Sequence, residues 1–486
     1  MSTTFLHGIE TIESSNIPLN VTEVRSAVIG IIGTAPEGPV NVPTVIQSAA
    51  DAAQFGSFAE HGLTSGYTLP YALNAIQEYG AGTVIAVNVF EPESTGTVST
   101  DVTDEAVTFA DGAFALAHQN VSSVVVKSSD GSTTYTATTD YTVNAEAGTI
   151  AKVAEGALTE VSAVKVSYTY SSTGTIQNDV ANVTNAQIIG ATDASGNRTG
   201  AQALLDSFSR FGFAPKILIA PGFSSSGGVY TALLTLAEKL RAIVLIDMPA
   251  GLTVAEAIAA RGTTGEVLLN TTSDRAMILY PHVKHYDPQT DQDQLMPMSA
   301  TMAGLMAKTD REFGYWYSPS NKELVGVTGL ERHITSSYTD PTTEIQQLNE
   351  TGITSVLNAY GTGFRAYGNR LASFNATTAN GLATFLVTRR VCDMIADSLE
   401  QAMAQFIDRP LTAAIINDIV MLGNSFINTL IGRGALIGGK CYPSPTENTA
   451  QSLSAGQLVL VYEYNPPAPL ERLTHRLVLT NAYYES

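Results

Sequence analysis

Four places in this sequence carry residue types that could do chemistry. Asp247 ends an apolar run at residues 243–246, and a carboxylate at the C-terminal end of a strand can hold a ribose or a metal. His282, His285 and Asp287 form the one cluster with the character of metal ligands. Ser224-Ser225-Ser226-Gly227-Gly228 sets hydroxyls beside glycines, as a nucleophile turn does, and Gly361-Thr362-Gly363 begins like a dinucleotide loop. Each falls short of its chemistry. Gly363 is followed by Phe364-Arg365-Ala366, so the third glycine of the phosphate fingerprint is missing, and there is no G-x-x-x-x-G-K-[ST] loop. The serine run has the wrong order for G-x-S-x-G and reads as a turn leading into a helix. Without a glycine loop, Asp247 reads as a turn or capping aspartate before Pro249. A His-x-x-His pair on a strand points its rings to opposite faces, which makes a poor metal site. Met296, Met298, Met302 and Met306 read as core. The expectation is no enzyme, with no catalytic, cofactor-binding or metal residues.

The elements around these residues follow an α/β rhythm. Buried strands are expected at 27–33 and 83–90, with a helix after the cap Ser48 and another near Thr68 with Pro70 in its first turn. From residue 91 to 185 the composition turns to Thr, Ser, Val and Tyr, with strands at 122–127 and 164–170 and a hairpin-type turn at Asp130-Gly131. Strand and helix alternate again from 216 to 283: strands at 216–220, 242–247 and 275–283, helices at 230–240 and 254–261. Such alternation implies parallel strands with crossover helices. Leu382, Phe385, Leu386, Ile395, Leu399, Met403 and Phe406 recur at helical spacing, while Arg389, Asp393, Asp397 and Glu400 share another face. Pro410 stops this helix, and a second runs over 412–431 to Gly432 and Gly434. Strands are expected at 458–464 and 473–480, separated by the stiff Pro466-Pro467-Ala468-Pro469.

The fold class is therefore multidomain α/β. An extended arm is read at 1–26, an α/β core at 27–90 and 186–350, and an inserted all-β surface domain at 91–185. An α+β C-terminal domain is read at 351–465, and a terminal strand and arm at 466–486.

Composition narrows the function. The chain has 486 residues and a net charge of −20, with no basic stripe to neutralise phosphates, so neither nucleic acid nor an anionic membrane is an expected partner. Charged residues are 14% of the chain, low for a soluble protein, which suggests that other copies cover much of the surface. Cys392 and Cys441 are too few for a disulfide framework. Residues 1–10 lack the pattern of a signal peptide. Asn417, Asp418 and Asn424 interrupt the most apolar helical stretch, so no membrane insertion is expected. Residues 1–26 have no periodic face with which to bury themselves, yet hold Phe5, Leu6, Ile9, Ile12 and Ile17, as a segment that orders on a partner would.

Several segments resemble the tail sheath family of P2-like contractile phages and R-type tailocins. The most specific runs from Ala303-Gly304-Leu305-Met306 through Lys308-Thr309-Asp310-Arg311-Glu312 and Trp316 to Ser318-Pro319-Ser320-Asn321-Lys322. Shorter ones are His7-Gly8-Ile9, Thr34-Ala35-Pro36-Glu37-Gly38-Pro39, Ile219-Ala220-Pro221-Gly222, Gly368-Asn369-Arg370 and Ala468-Pro469-Leu470-Glu471. The likeness covers the chain apart from 91–185; Tyr367 stands where the family often has Trp.

The resemblance implies a homo-oligomer of hexameric rings stacked helically around an inner tail tube protein. It implies contraction without nucleotide hydrolysis, and a virion component, assembled in the bacterial host cytoplasm, that meets baseplate and tail terminator proteins. Phe5, His7, Gly8, Ile9, Ile12, Leu473, Leu477, Leu479 and Tyr483 are the expected intersubunit arm residues; an arm of about 20 residues spans up to about 65 Å. Arg389, Arg390, Asp393 and Glu400 are the expected tube-facing residues, weighed against a solvated or intersubunit face. The alternatives are the sheath of a tailocin or other contractile injection device, and a nucleotide-binding α/β enzyme.

Overall fold

The computed structural model describes residues 21, 23–80, 82–109, 112–159, 163–263, 265–358, 361–375, 381–480 and 483. The expected arm residues Phe5, His7, Gly8, Ile9 and Ile12 lie outside them. The chain divides into two compact units, Met1–Phe90 with Val183–Ser486, and Glu91–Asn182.

The larger unit is built on one nine-stranded sheet. Its strands are β1 (Val28–Gly33), β2 (Thr44–Ile46), β3 (Thr83–Asn88), β4 (Ile217–Ile219), β5 (Ile243–Asp247), β6 (Ala276–Leu279), β7 (Lys322–Glu323), β8 (Ile353–Asn358) and β9 (Phe364–Tyr367), in the spatial order β7-β9-β8-β6-β5-β4-β1-β3-β2. The middle, from β3 to β8, is parallel, and antiparallel strands close both edges. Side-chain alternation divides the core in two. Ile29, Ile31, Ile217, Ile219, Ile243 and Leu245 face one layer, and Val28, Ile32, Leu218, Val244 and Ile246 the other. The first layer is covered by α1 (Leu69–Gln77) and α3 (Met298–Phe313), the second by α2 (Gly227–Leu240) with the helices Val254–Ala259 and Glu344–Glu350. A parallel sheet has to be buried on both faces, which is why its strands read as unbroken apolar runs. Met296, Met298, Met302 and Met306 all lie in the first layer, as expected of core methionines.

Two expectations need correction. The strand read at 275–283 is two. β6 joins the main sheet, whereas Val283–Asp287 pairs antiparallel with Gln292–Met296 and Val327–Leu330 in a separate sheet. Pro281 stands between them and has no N–H to give a ladder. The boundary read at 351 falls inside the main sheet, because β8 pairs with β6 and β9 with β8. The apolar run of β8, buried at its first five positions, completes the sheet instead of starting a new layer.

After β9 come two long helices, α4 (Leu386–Met403) and α5 (Ala413–Gly432), and an antiparallel pair, Gly438–Pro443 with Leu460–Asn465. Val391, Met394, Ile395 and Leu399 pack against Phe426, Ile427 and Leu430. Pro410 separates the helices, and the Thr412 hydroxyl caps α5 by accepting from the Ile415 N–H at 3.3 Å. The strand expected at 473–480 is absent: residues 466–480 have no regular structure, and every residue from 471 to 480 is exposed. The alternating leucines supply a face, but a strand also needs a neighbour to complete its hydrogen bonds.

The smaller unit is all β. Glu93–Thr108 and Ala163–Gln177 form a long antiparallel pair, Val121–Ser128 adds to the other side of Ala163–Gln177, and a second sheet joins Ala113–Ala115, Thr149–Lys152 and Tyr141–Asn144. Phe109, Phe114, Val126, Ile150, Val166 and Tyr168 form its core. The turn read at Asp130-Gly131 is there: the Gly131 N–H donates to the Ser128 carbonyl at 2.8 Å, with Gly131 in the left-handed region at φ 77°.

Candidate assembly site

An α/β sheet of this kind offers a ligand crevice at the C-terminal ends of its strands, where the strand order reverses. Here that reversal lies between β1 and β4. Side chains of the chain itself tie the strand ends together beside it. Beyond β1, the Thr34 N–H donates to the Thr68 hydroxyl and the Thr68 N–H to the Thr34 hydroxyl, each at 3.0 Å, which seats the start of α1 against the strand end. A Cβ at Gly33 would collide with that Thr68 hydroxyl. At the end of β3, the buried Asn88 amide ties Ala35, Glu37 and Phe90 together.

Asp247, at the end of β5, accepts from the Ser299 N–H at 2.8 Å and from the Ser224 hydroxyl at 3.3 Å. It therefore caps α3, a helix far along the chain, which agrees with the capping role read from the sequence. Burial pushes its carboxyl upward from the ordinary range, and His282 opposes the shift. The remaining histidine cluster is dispersed. His282 Nε2 lies 3.0 Å from the Met248 carbonyl oxygen and His285 Nε2 lies 3.0 Å from Glu78, while Asp287 accepts from the backbone of Leu63 and Gln289.

The charged face of α4 lies against the opposite, N-terminal ends of the strands. Arg390 is bidentate on Asp310 and also donates to the Ser26 carbonyl, just before β1. Asp393 accepts from Arg275, the residue before β6, at 2.7 and 3.0 Å. Asp397 accepts from Lys216, before β4, and from Arg241, close before β5. Arg241 reaches on to Glu400, and Arg389 pairs with Asp274 and Asp393.

This overturns the tube-facing assignment of Arg390 and Asp393, whose side chains are only 4% exposed. Arg389 and Glu400 are partly exposed but are engaged in the same row of pairs. The spacing 390, 393, 397, 400 is one helical stripe. The basic residues standing just before three strands, Lys216, Arg241 and Arg275, were the signal that it faces inward.

α5 has the opposite character. Asp418 is its single charged residue, and it is exposed on an outer face with Ala413, Ala414, Asn417, Met421, Ser425, Asn428 and Thr429. Met421 is 70% exposed. Among the described residues α5 is the one helix long and apolar enough to cross a membrane by length and composition, with Phe426, Ile427 and Leu430 buried in the chain's own core. A shallow surface groove runs along Val420, Met421, Asn424, Ser425, Asn428 and Thr429.

The tail beyond the proline stretch exposes Leu473, Leu477, Leu479 and Tyr483, with Leu477 at 94% and Leu479 at 103%. Large apolar side chains held this far out in a row call for cover by something else.

Comparison with known proteins gives this architecture a place. The model of the phage tail sheath protein central domain matches residues 181–370, and that of the phage tail sheath C-terminal domain matches 378–480. A third, described only as a protein of unknown function, matches 89–186. The tail sheath protein of Burkholderia phage BcepMu is 42% identical over 486 residues, 99% of this chain and 98% of that protein. That of Escherichia phage P2 is 33% identical over 298 residues, 61% of this chain and 72% of that protein.

Among solved structures, the sheath complex of the extracellular contractile injection system PVC in its contracted state is similar with a TM-score of 0.59 at 15% identity, over 99% of each chain. The helical sheath of the anti-feeding prophage in its contracted state gives 0.58 at 16% identity, over 98% of this chain and all (100%) of that one. The fold is thus that of a contractile sheath subunit. With the sequence relatives, the chain belongs to the phage tail sheath family: it is a structural subunit of a contractile tail and a component of the virion. The resemblance carried by Ser318-Pro319-Ser320-Asn321 and its neighbours is borne out.

Proposed function

We propose that the chain polymerises as stacked hexameric rings around an inner tail tube, that its terminal segments link each copy to its neighbours, and that it contracts without catalysis. Contact with a baseplate belongs to the same reading, since similar chains occur in baseplate complexes. The observation that carries it is the exposed tail. Burying each leucine on a second copy is worth about 1.5–3 kcal/mol. Strand pairing adds about 0.5–1.5 kcal/mol for each hydrogen bond. Backbone pairing also survives rotation of the subunit bodies, as contraction demands. The strand ends also support a non-enzymatic role: Thr34, Thr68, Asn88 and Asp247, the polar groups at the ends of β1, α1, β3 and β5, are engaged with partners inside the chain. The tube-facing surface is reassigned within the C-terminal helices to the outer face of α5, because the charges of α4 are taken up inside the chain.

Deletion of residues 472–486 tests the linkage. The truncated protein is expected to be a folded monomer with unchanged circular dichroism that no longer sediments as tubes. Normal polymerisation of the truncated chain refutes the reading.

A further inference from the structure

The C-terminal segment is fastened to the body just before its exposed stretch, and the first described residues are fastened too. At the C-terminal end, Glu471 meets Arg370, 101 residues earlier in the chain, with Nε to Oε1 at 2.9 Å and Nη2 to Oε2 at 2.5 Å. The guanidinium is fixed by other groups as well. It stacks on Phe385 at 3.7 Å and Phe374 at 4.4 Å, and donates to the Thr384 hydroxyl and, at 3.1 Å, to the Gly381 carbonyl. The Arg370 side chain is 15% exposed and that of Glu471 45%. The body thus presents a preorganised fork for a carboxylate. Between the last strand, ending at Asn465, and Glu471 the chain holds three prolines, with Pro466 buried. Beyond Glu471 every residue to 480 is exposed. At the N-terminal end, Glu23 pairs with Arg433, whose guanidinium lies 5.1 Å over Trp316, and the Val24 N–H donates to the Ser398 hydroxyl at 3.3 Å.

We infer that Glu471 on the aromatic-backed Arg370 is a positioning clamp that sets the point and direction at which the C-terminal segment leaves its own subunit, so that residues 472–486 reach a second copy of this chain. The inference rests on the linking role proposed above. A short tether fixed at both ends, by a buried proline and by a bidentate ion pair, removes conformations that the segment would otherwise lose on docking. It also gives the segment a fixed root against which tension from a neighbour is borne. Near the other terminus Glu23 on Arg433 is a looser counterpart, with one contact and the guanidinium more exposed.

Glu471→Gln tests this, since it removes the charge from an exposed position and leaves the Arg370 stack intact. The monomer is expected to keep its unfolding midpoint, while the backbone order parameters of residues 468 and 470–471 fall. The critical concentration for tube formation rises about ten-fold, the worth of one charge-assisted bidentate contact. Arg370→Lys, which keeps the charge and loses the fork, is expected to raise it as well. Glu471→Gln polymerising at the wild-type concentration, while the 472–486 deletion does not polymerise, overturns the clamp and leaves the linking role standing. Normal polymerisation of the deletion overturns both.

Discussion

α4 and α5 follow one another in the chain, are of similar length and pack on one another, yet they use charge in opposite ways. α4 carries Arg389, Arg390, Asp393, Asp397 and Glu400, and all five are paired within the chain. α5 carries Asp418 alone and turns Met421, Asn417, Ser425 and Asn428 outward. The usual expectation for a helix on a soluble body is an apolar inner face and a charged outer one. Here a helix with a charged seat is fastened to the ends of a sheet, and a helix whose outer face carries the single charge of Asp418 is left outside. For a chain of net charge −20, an outer face whose one charge is Asp418 is where another body can approach with little repulsion and little desolvation. Charge on α4 thus speaks of internal fastening, and its scarcity on α5 of contact.

The comparison is broken most directly at Arg390. Arg390→Ala leaves Asp310, itself 2% exposed at its side chain, as an uncompensated buried charge. The expected loss is about 3–5 kcal/mol, read as a lower urea midpoint of the monomer. Replacing both partners, with Arg390→Met and Asp310→Leu, is expected to recover most of it, because no charge is then left unpaired. A loss under about 1 kcal/mol for Arg390→Ala would mean that the pair behaves as a surface one and that α4 is not seated as described.

On α5 the expected effects are reversed. Met421→Glu changes a side chain that is 70% exposed, so monomer stability is expected to stay within about 0.5 kcal/mol. Co-assembly with the tube protein, followed by co-sedimentation, is expected to fall. If co-assembly is unchanged while polymerisation of the sheath alone is lost, the face belongs between sheath copies.

Much of this was legible in the sequence, and the failures have a common cause. Local patterns located the parallel strands, the Ser48 cap, the turn at Asp130-Gly131 and the break at Pro410. Periodicity also found the charged stripe of α4. It could not say what the stripe faces, because a stripe of charges has the same period whether it meets water or three basic residues at strand ends. The terminal alternation at Leu473, Leu477 and Leu479 failed for a related reason: alternation states which side chains share a face, not whether a partner strand exists in the same chain. Arg370 and Glu471 were visible only as parts of short resembling segments, since a pair 101 residues apart leaves no local trace.

The smallest expected effect lies at the outer end of the α4 stripe. Glu400 pairs with Arg241, but its side chain is 65% exposed and Arg241 also serves the more buried Asp397. Glu400→Gln is therefore expected to cost no more than about 1 kcal/mol at neutral pH, and less in high salt. The hydrogen bond from Arg241 holds the Glu400 carboxyl below its ordinary value, with slight burial opposing. A carboxyl with a depressed folded pKa adds stability above its unfolded pKa and loses that contribution as pH falls through the folded one. The gap between wild type and Glu400→Gln should accordingly be largest near pH 7 and close in acid, below the ordinary range of a glutamate. Urea midpoints at neutral and acid pH, each at low and high salt, measure it. A gap that persists in acid assigns the loss to packing of the side chain, and the ion-pair row of α4 then ends at Asp397.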